Sequence, residues 1–368
     1  MINVISHTSA LEAMRLVDFP KALVTADVLS EIPSQALTKA EAERWASSDP
    51  LLRGLARPIE LLVANPDGAR SNEVFRSHAQ SAKLPAGAAL RLSETVAIVR
   101  PELMIFQIAR RATTLELVML IDEICGLYAA HPSFPAGMLQ RKAPLSTLDE
   151  IRDFADAMPR AAGTAKVRAA CGLAVARSGS PMESRLAARI SWSRLRGGYG
   201  LSILSMNEEL VVDRISRRLD AAYVRKPDIL FSLPSDGEFG YCLDYHGWIH
   251  DENGRAEADS LRANELLAFG LQPFSIWRSQ YESTSYMDGL IDGIIRPRLG
   301  LGAHRPRLER RSLELARREA LLSELDTIDG LSWGVSERAP RVIKAQEDVE
   351  EAKERLAWAE RHLKRSSR

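Results

Sequence analysis

The order of secondary-structure patterns between Pro181 and Trp277 constrains this chain more than any other feature. Ser180 as N-cap and Pro181 at the first helical position mark a helix start. Period-two alternation then marks strands, and Gly270 stands where a C′ glycine ends a helix. The predicted elements are a helix from Pro181 to about Trp192, strands 209–215, 228–233 and 241–246, a helix 255–269 and a strand 271–277. The predicted fold class is α/β (α+β) with an αβββαβ core.

The hairpin between the second and third strands predicts a pair of neighbouring carboxylates. The turn Pro234-Ser235-Asp236-Gly237 separates the strands, and Asp228 and Asp244 each lie about eight residues from its centre. Equal spacing places the two side chains next to each other on adjacent strands. We therefore expect Asp228 and Asp244 to form one site.

Alternation along the third strand adds a histidine to this pair. Cys242, Asp244 and His246 share one face of the strand, because successive side chains point to opposite faces. Two carboxylates suit a hard divalent cation such as Mg²⁺, with waters completing the coordination. Such an ion lowers the pKa of bound water and stabilises charge on a phosphodiester. Asp228 and Asp244 are thus the predicted metal ligands.

At these residues the sequence resembles the PD-(D/E)xK, or restriction-endonuclease-like, superfamily. Pro227-Asp228 stands at the PD position and Asp244-Tyr245-His246 at the (D/E)xK position, with His246 in place of lysine. Residues 178–299 resemble more closely a bacterial family of nuclease-like domains related to very-short-patch repair endonucleases. The motifs that carry this resemblance are SPME at 180–183, GGYGL at 197–201 and DYHGWIH at 244–250. Residues 3–130 are more weakly similar to the N-terminal part of abortive-infection antitoxin relatives.

The resemblance implies a restriction-endonuclease-like core that hydrolyses phosphodiester bonds of DNA with Mg²⁺ or Mn²⁺, in a mobile-element or phage-defence context. It implies that Asp228 and Asp244 are catalytic carboxylates that hold the metal, with Glu183 supporting them. His246 and His250 would handle protons or contact phosphate, and DNA is the implied partner.

Glu183, His250 and Arg262 are further candidates for the site, and each also has an ordinary structural interpretation. Glu183 is the last residue of a capping box that starts at Ser180. His250 follows Gly247 in a loop, where a solvated histidine is common. Arg262 would contact phosphate or form an ion pair with Asp259, three residues before it on the same helix. Both interpretations stand for each residue.

Composition limits the class of protein. The chain has 49 Lys+Arg and 49 Asp+Glu among 368 residues, so DNA contacts must come from local patches rather than from bulk charge. Its three cysteines form no CxxC or Cys/His cluster, which fits a reducing compartment and argues against zinc. The first residues carry no secretory signal, and we expect a cytoplasmic protein with no membrane segment.

We expect three domains: a mixed, mostly helical, antitoxin-like domain over 1–178, the nuclease-like core over 179–300 and charged helices over 301–368. The charged helices are typical of a solvated face or a coiled-coil surface for a homo-oligomer or a protein partner. The leading hypothesis is a metal-dependent deoxyribonuclease. The alternative is a non-catalytic antitoxin-like or DNA-binding regulator with a decayed nuclease fold, which the missing lysine and neutral charge favour.

Overall fold

A computed structural model describes residues 2–16, 19, 27–29, 31–80, 83–131, 134, 137–211, 224–235, 237–247 and 255–366. The chain is mixed α/β and forms two compact units, Met1–Ala174 and Val175–Arg368. This division lies close to the domain boundary predicted at residue 178. Residues 301–368, predicted as a separate segment, belong to the second unit. None of the described helices is both long and apolar enough to cross a membrane.

The first unit is built on a six-stranded mixed sheet with strand order β2-β5-β6-β1-β3-β4, beside a β7-β8 ribbon. Its strands are β1 Asn3–Ile5, β2 Asp27–Val28, β3 Ile59–Val63, β4 Phe75–Ala79, β5 Ala89–Arg91, β6 Val96–Val99, β7 Tyr128–Ala130 and β8 Met138–Gln140. Its helices are α1 His7–Met14, α2 Lys39–Ser48, α3 Pro50–Arg53, α4 Pro101–Ala109, α5 Thr114–Ile124, α6 Leu148–Ala157 and α7 Thr164–Cys171. All nine residues of α4 are buried, so this helix forms part of the core of the unit.

The second unit contains a four-stranded sheet with strand order β14-β13-β12-β9 and a separate β10-β11 ribbon. Its strands are β9 Ser205–Met206, β10 Leu210–Val211, β11 Val224–Arg225, β12 Ile229–Ser232, β13 Gly240–His246 and β14 Leu271–Trp277. Its helices are α8 Pro181–Ser191, α9 Arg255–Phe269, α10 Arg278–Glu282, α11 Thr284–Met287, α12 Arg296–Arg298, α13 Leu308–Leu325 and α14 Pro340–Ser366, with a π-helix at Asp288–Ile295.

The four-stranded sheet is covered on both faces because its central strands alternate two sets of apolar side chains. Ile229 and Leu243 pack with α8 residues such as Leu186 on one face. Leu230 and Cys242 pack with Leu266 of α9 on the other. Strand β12 is antiparallel to β9 and β13, whereas β13 and β14 are parallel. Helix α9 makes the crossover that a parallel pair requires, and Gly270, at φ +92°, ends it.

The first strand of this sheet was predicted at the wrong place. It is Ser205–Met206, which pairs with Leu230 and Ile229. Of the predicted strand 209–215 the structure describes 209–211, where Leu210–Val211 pairs with Val224–Arg225 in the separate ribbon. The alternation of ELVVDRI therefore indicated extended backbone but not the sheet to which it belongs.

The C-terminal helices pack against each other and against the core of the second unit. Ala345, Val349 and Ala352 of α14 form a buried cluster with Leu313 and Ala320 of α13. The apolar side of the last helix is thus covered by α13 from the same chain.

A buried ionic network connects α13 to the π-helix. The Arg318 side chain is 4% exposed, lies 3.0 Å from Asp288 and 3.2 Å from Asp292, and has its guanidinium over the Tyr199 ring. Arg194 donates two hydrogen bonds to Asp292, at 3.0 and 2.5 Å. Because the carboxylates are withdrawn from water, each depends on these guanidinium groups for compensation.

We expect Arg318→Ala to lower the free energy of unfolding by about 3–5 kcal/mol, since it removes a buried guanidinium that compensates two partly buried carboxylates. The control is Arg355→Ala, which removes an exposed pair with Glu351 at 2.5 Å and should cost about 1 kcal/mol or less. Chemical denaturation of both variants measures the difference. Equal costs would show that the network does not stabilise the unit.

Candidate functional site

Asp228 and Asp244 adjoin each other at the start of β12 and near the end of β13. Ile229 pairs with Leu243, so the antiparallel register brings Asp228 opposite Asp244. The Asp228 amide donates to Asp244 Oδ1 at 3.1 Å, and the Tyr245 amide donates to Asp228 Oδ2 at 2.6 Å. The hairpin spacing predicted this juxtaposition, and the catalytic role of the pair stays a prediction.

Glu183 combines a helix-capping position with a place beside these aspartates. Its amide donates to the Ser180 hydroxyl at 3.2 Å, which is the expected N-cap bond. Its carboxylate accepts from the Gly179 amide at 2.6 Å and from Asn207 Nδ2 at 2.7 Å. Glu183 is 9% exposed and interacts electrostatically with Asp244. The Ser180 side chain therefore caps α8, while the Glu183 side chain adds a third carboxylate near the pair.

Asn207 links Glu183 to the strand that carries Asp228, and sequence reasoning missed it. Its side-chain amide bonds Glu183, while its backbone amide donates to the Pro227 carbonyl at 3.1 Å. Its φ of +48° lies in the left-handed region that asparagine adopts more readily than most residues. An asparagine at a strand end was the available signal, but nothing in the sequence connects it to Glu183.

Arg262 reaches the site from helix α9. Its Nη2 donates to Asp244 Oδ1 at 3.0 Å and to the Lys226 carbonyl at 2.6 Å. Its Nε is buried and makes no hydrogen bond within the described residues. Asp244 is thus an ion-pair partner of Arg262, and the side chain of Asp259, the alternative partner, lies outside the described residues. This contact brings a guanidinium directly onto one of the predicted metal ligands.

His246 lies on the face of β13 that carries Asp244. Its Nε2 is 3.2 Å from the Ser275 hydroxyl, and its ring stacks on the Trp277 indole with centroids 4.8 Å apart. Trp277 is 49% exposed and pairs with His246 in the parallel register. Sequence reasoning did not include Trp277, because the register between β13 and β14 depends on the crossover. His250 lies outside the described residues.

Two carboxyl groups of the site, those of Asp228 and Glu183, have raised pKa values. Burial, together with the charges of Glu183 and Asp244, raises the pKa of Asp228 well above its usual range, against the bond from Tyr245 and the charge of Arg262. Burial and the charge of Asp244 likewise raise the pKa of Glu183, against the bonds from Asn207, Gly179 and Ser180. A cation placed among these groups would relieve both desolvation and mutual repulsion.

The donor chemistry suits a hard divalent cation. Mg²⁺ is commonly held by one or two carboxylates with several waters, and Asp228 and Asp244 offer carboxylate oxygens on adjacent strands. Among the described residues, no group of three or more His, Cys, Asp or Glu side chains is arranged to hold a metal ion. The case that a divalent cation fits this site therefore depends on Asp228 and Asp244 and on the raised pKa values of Asp228 and Glu183.

Comparisons of the chain with models of protein families, with curated proteins and with solved structures found no match.

We expect Asp228→Asn to raise the free energy of unfolding at neutral pH by about 1 kcal/mol. Because the pKa values of Asp228 and Glu183 are raised, the folded protein holds protons that the unfolded chain releases. Stability should therefore fall as pH rises from the ordinary carboxyl range towards the raised values, and the substitution should flatten this dependence. Amide hydrogen exchange of β13 at several pH values measures the effect in this unit.

The control for this prediction is Glu238→Gln, which neutralises an exposed carboxylate near the hairpin turn. It should leave the exchange rates and their pH dependence unchanged. A lower stability of Asp228→Asn at neutral pH would contradict the prediction, because the carboxylate would then be stabilising as it stands.

Proposed function

We propose that the second unit is a nuclease-like domain of the PD-(D/E)xK type that hydrolyses phosphodiester bonds of DNA with a divalent cation. The observation that carries this proposal is the contact of Asp228 and Asp244 at adjoining strand ends, beside Glu183 and Arg262. A solely structural carboxylate pair would be costly, since like charges in a partly buried site repel.

The fold of the unit supports the same proposal. Its order is helix α8, antiparallel strands β9, β12 and β13, helix α9 and the parallel strand β14. This order matches the αβββαβ arrangement expected from the resemblance, and the neighbouring Asp228 and Asp244 are where the proposal needs two carboxylates. The ribbon β10-β11 is an insertion between β9 and β12.

In this proposal Asp228 and Asp244 hold Mg²⁺ or Mn²⁺, and Asn207 keeps Glu183 beside them. When bound, the cation activates water and stabilises negative charge on the phosphate. Arg262 binds phosphate oxygens, because a guanidinium presents several donors in one plane and the side chain is 33% exposed. His246 accepts or donates a proton, as an imidazole can near neutral pH.

The aromatic surface beside this site favours a nucleic-acid substrate. Trp277 exposes about half of its side chain next to His246, on the strand that neighbours Asp244. Every nucleobase has a flat face that can stack on an indole, irrespective of sequence. A base next to the cleaved phosphate would therefore contact Trp277.

A second candidate function is a regulator that binds DNA without cleaving it. Two observations favour it: His246 occupies the position where the resemblance places a lysine, and Arg262 already compensates Asp244. A carboxylate that is paired in this way needs no metal to remain buried. The two functions differ in whether DNA is cut.

We expect the full chain to nick supercoiled plasmid with Mg²⁺ and Asp244→Asn to lose at least about 100-fold in rate, equivalent to about 2.7 kcal/mol of transition-state stabilisation. Asparagine retains an oxygen for the Asp228 amide but lowers the charge at the metal position. Conversion of plasmid, followed on gels with Mg²⁺ or EDTA, measures the rate.

Glu238→Gln is again the control and should cut at the wild-type rate. A second readout is independent of turnover: Mg²⁺ should raise the unfolding temperature of the wild type and not that of Asp228→Asn. Cleavage that survives Asp244→Asn would refute the assignment of the site. DNA binding with no cleavage under any metal would establish the regulator instead.

We expect Trp277→Ala to weaken binding of a single-stranded oligonucleotide by about 1–3 kcal/mol, or roughly 5- to 150-fold, and Trp277→Phe to retain most of the affinity. Trp358→Ala is the matched control, since Trp358 is 58% exposed and stacks on His362 with ring centroids 3.9 Å apart on α14. Fluorescence anisotropy in EDTA measures binding without cleavage. Equal losses in the two alanine variants would show that Trp277 has no specific role.

A further inference from the structure

Positive charge is concentrated in one short segment of this electrically neutral chain. Residues 296–311, RPRLGLGAHRPRLERR, contain six arginines and one glutamate, whereas the whole chain has 49 basic and 49 acidic residues. The segment runs from α12 through residues without regular structure into the first turn of α13. Its charge is therefore a local property, of the kind that a neutral chain needs in order to hold a polyanion.

Three arginines of this segment, Arg305, Arg307 and Arg310, line a groove between the start of α13 and the C-terminal half of α14. The groove has a volume of about 540 Å³. One wall consists of residues 304–307, Glu309 and Arg310, and the other of Leu356, Ala359 and Glu360. Arg305, Arg307 and Arg310 are exposed, so their guanidinium groups are accessible to a ligand.

The carboxylates of the described residues compensate these arginines only weakly. Arg305 and Arg307 form no ion pair with a described carboxylate, and Arg310 lies 3.5 Å from Glu314 while its side chain remains 67% exposed. On α14, by contrast, Lys353 and Arg355 pair with Glu350 and Glu351 at 2.7 and 2.5 Å. The groove thus gathers three exposed arginines, of which only Arg310 has an ion-pair partner among the described residues.

We propose that this groove binds the phosphate backbone of a nucleic acid. The inference rests on the proposed function in one respect, namely that nucleic acid is the polymer. Guanidinium groups bind phosphate oxygens in a bidentate manner, which lysine cannot do. A concave surface fits a backbone strand better than it fits a flat bilayer. Glu360 on the opposite wall repels phosphate, so the backbone lies against Arg305, Arg307 and Arg310.

Salt-dependent binding of the full chain to a short DNA duplex, followed by anisotropy in EDTA, tests the proposal. Each phosphate that the protein neutralises contributes about 0.9 to the slope of log affinity against log salt. We expect the triple variant Arg305→Gln, Arg307→Gln, Arg310→Gln to lower this slope by about 2–3 and to bind about tenfold or more weakly between roughly 50 and 200 mM salt.

The matched control is Arg341→Gln, Lys344→Gln, Arg355→Gln, which removes the same number of exposed cations from α14 outside the groove. It should keep the slope and affinity of the wild type. Far-UV circular dichroism of both variants confirms that each is folded at the temperature of the assay.

Two outcomes would overturn the proposal. One is an unchanged slope and affinity in the groove variant. The other is binding to vesicles of phosphatidylserine and phosphatidylcholine without binding to DNA, which would make the groove a membrane-surface site. Neither result bears on the carboxylate site, because plasmid cleavage and its loss in Asp244→Asn are measured separately. An active nuclease whose groove does not bind DNA can therefore be distinguished from an inactive protein whose groove does bind DNA.

Discussion

Strand β13 hydrogen-bonds on both sides, antiparallel to β12 and parallel to β14, and the geometry of the candidate site depends on this double pairing. The first pairing brings Asp228 against Asp244, and the second brings Trp277 against His246. Both edges of β13 are occupied, so the strand cannot shift by one residue without turning Asp244 into the opposite apolar layer. The same register that buries Leu243 therefore holds two like charges next to each other.

The surroundings of the aspartates reflect the cost of that proximity. The Tyr245 amide and Arg262 favour the charged forms, while burial and neighbouring carboxylates oppose them. Asn207 adopts a left-handed backbone and joins Glu183 to the strand. A site that serves only to stabilise the fold would be expected to replace such groups with apolar ones, since packed hydrophobic residues often stabilise as well as buried ions do. This arrangement is the physical basis of the nuclease proposal.

The second unit contains two charged regions of different character. Around Arg318 the opposite charges are buried and compensate one another, which joins α13 to the π-helix. At the start of α13, by contrast, Arg305, Arg307 and Arg310 are exposed, and of these only Arg310 lies near a described carboxylate. The difference follows from burial, because a charge withdrawn from water must be paired, whereas a solvated guanidinium needs no partner. Uncompensated arginines are then available to a ligand.

Several elements of the fold could be predicted from residue patterns alone. The capping signal at Ser180 starts a helix, Gly270 ends one, and the strands at 228–233 and 241–246 match β12 and β13 closely. Strand β9 could not be predicted, because a strand of two residues is too short to show alternation. Residues 209–211 alternate but belong to the β10-β11 ribbon. Alternation indicates extended backbone, but it does not identify the strand with which that backbone pairs.

In the candidate site, too, some contacts could be predicted from the sequence and others could not. The number of residues between each aspartate and the turn is a local property of the chain. The sequence by itself therefore determined that Asp228 and Asp244 adjoin and that His246 shares their face. Contacts between residues far apart in the chain follow from how whole elements pack. Only the tertiary structure decided that Arg262 bonds Asp244, that Asn207 holds Glu183 and that Trp277 lies against His246. The reason is that a strand period and a turn length are properties of neighbouring residues, whereas crossover and helix packing are set by burial across the entire unit.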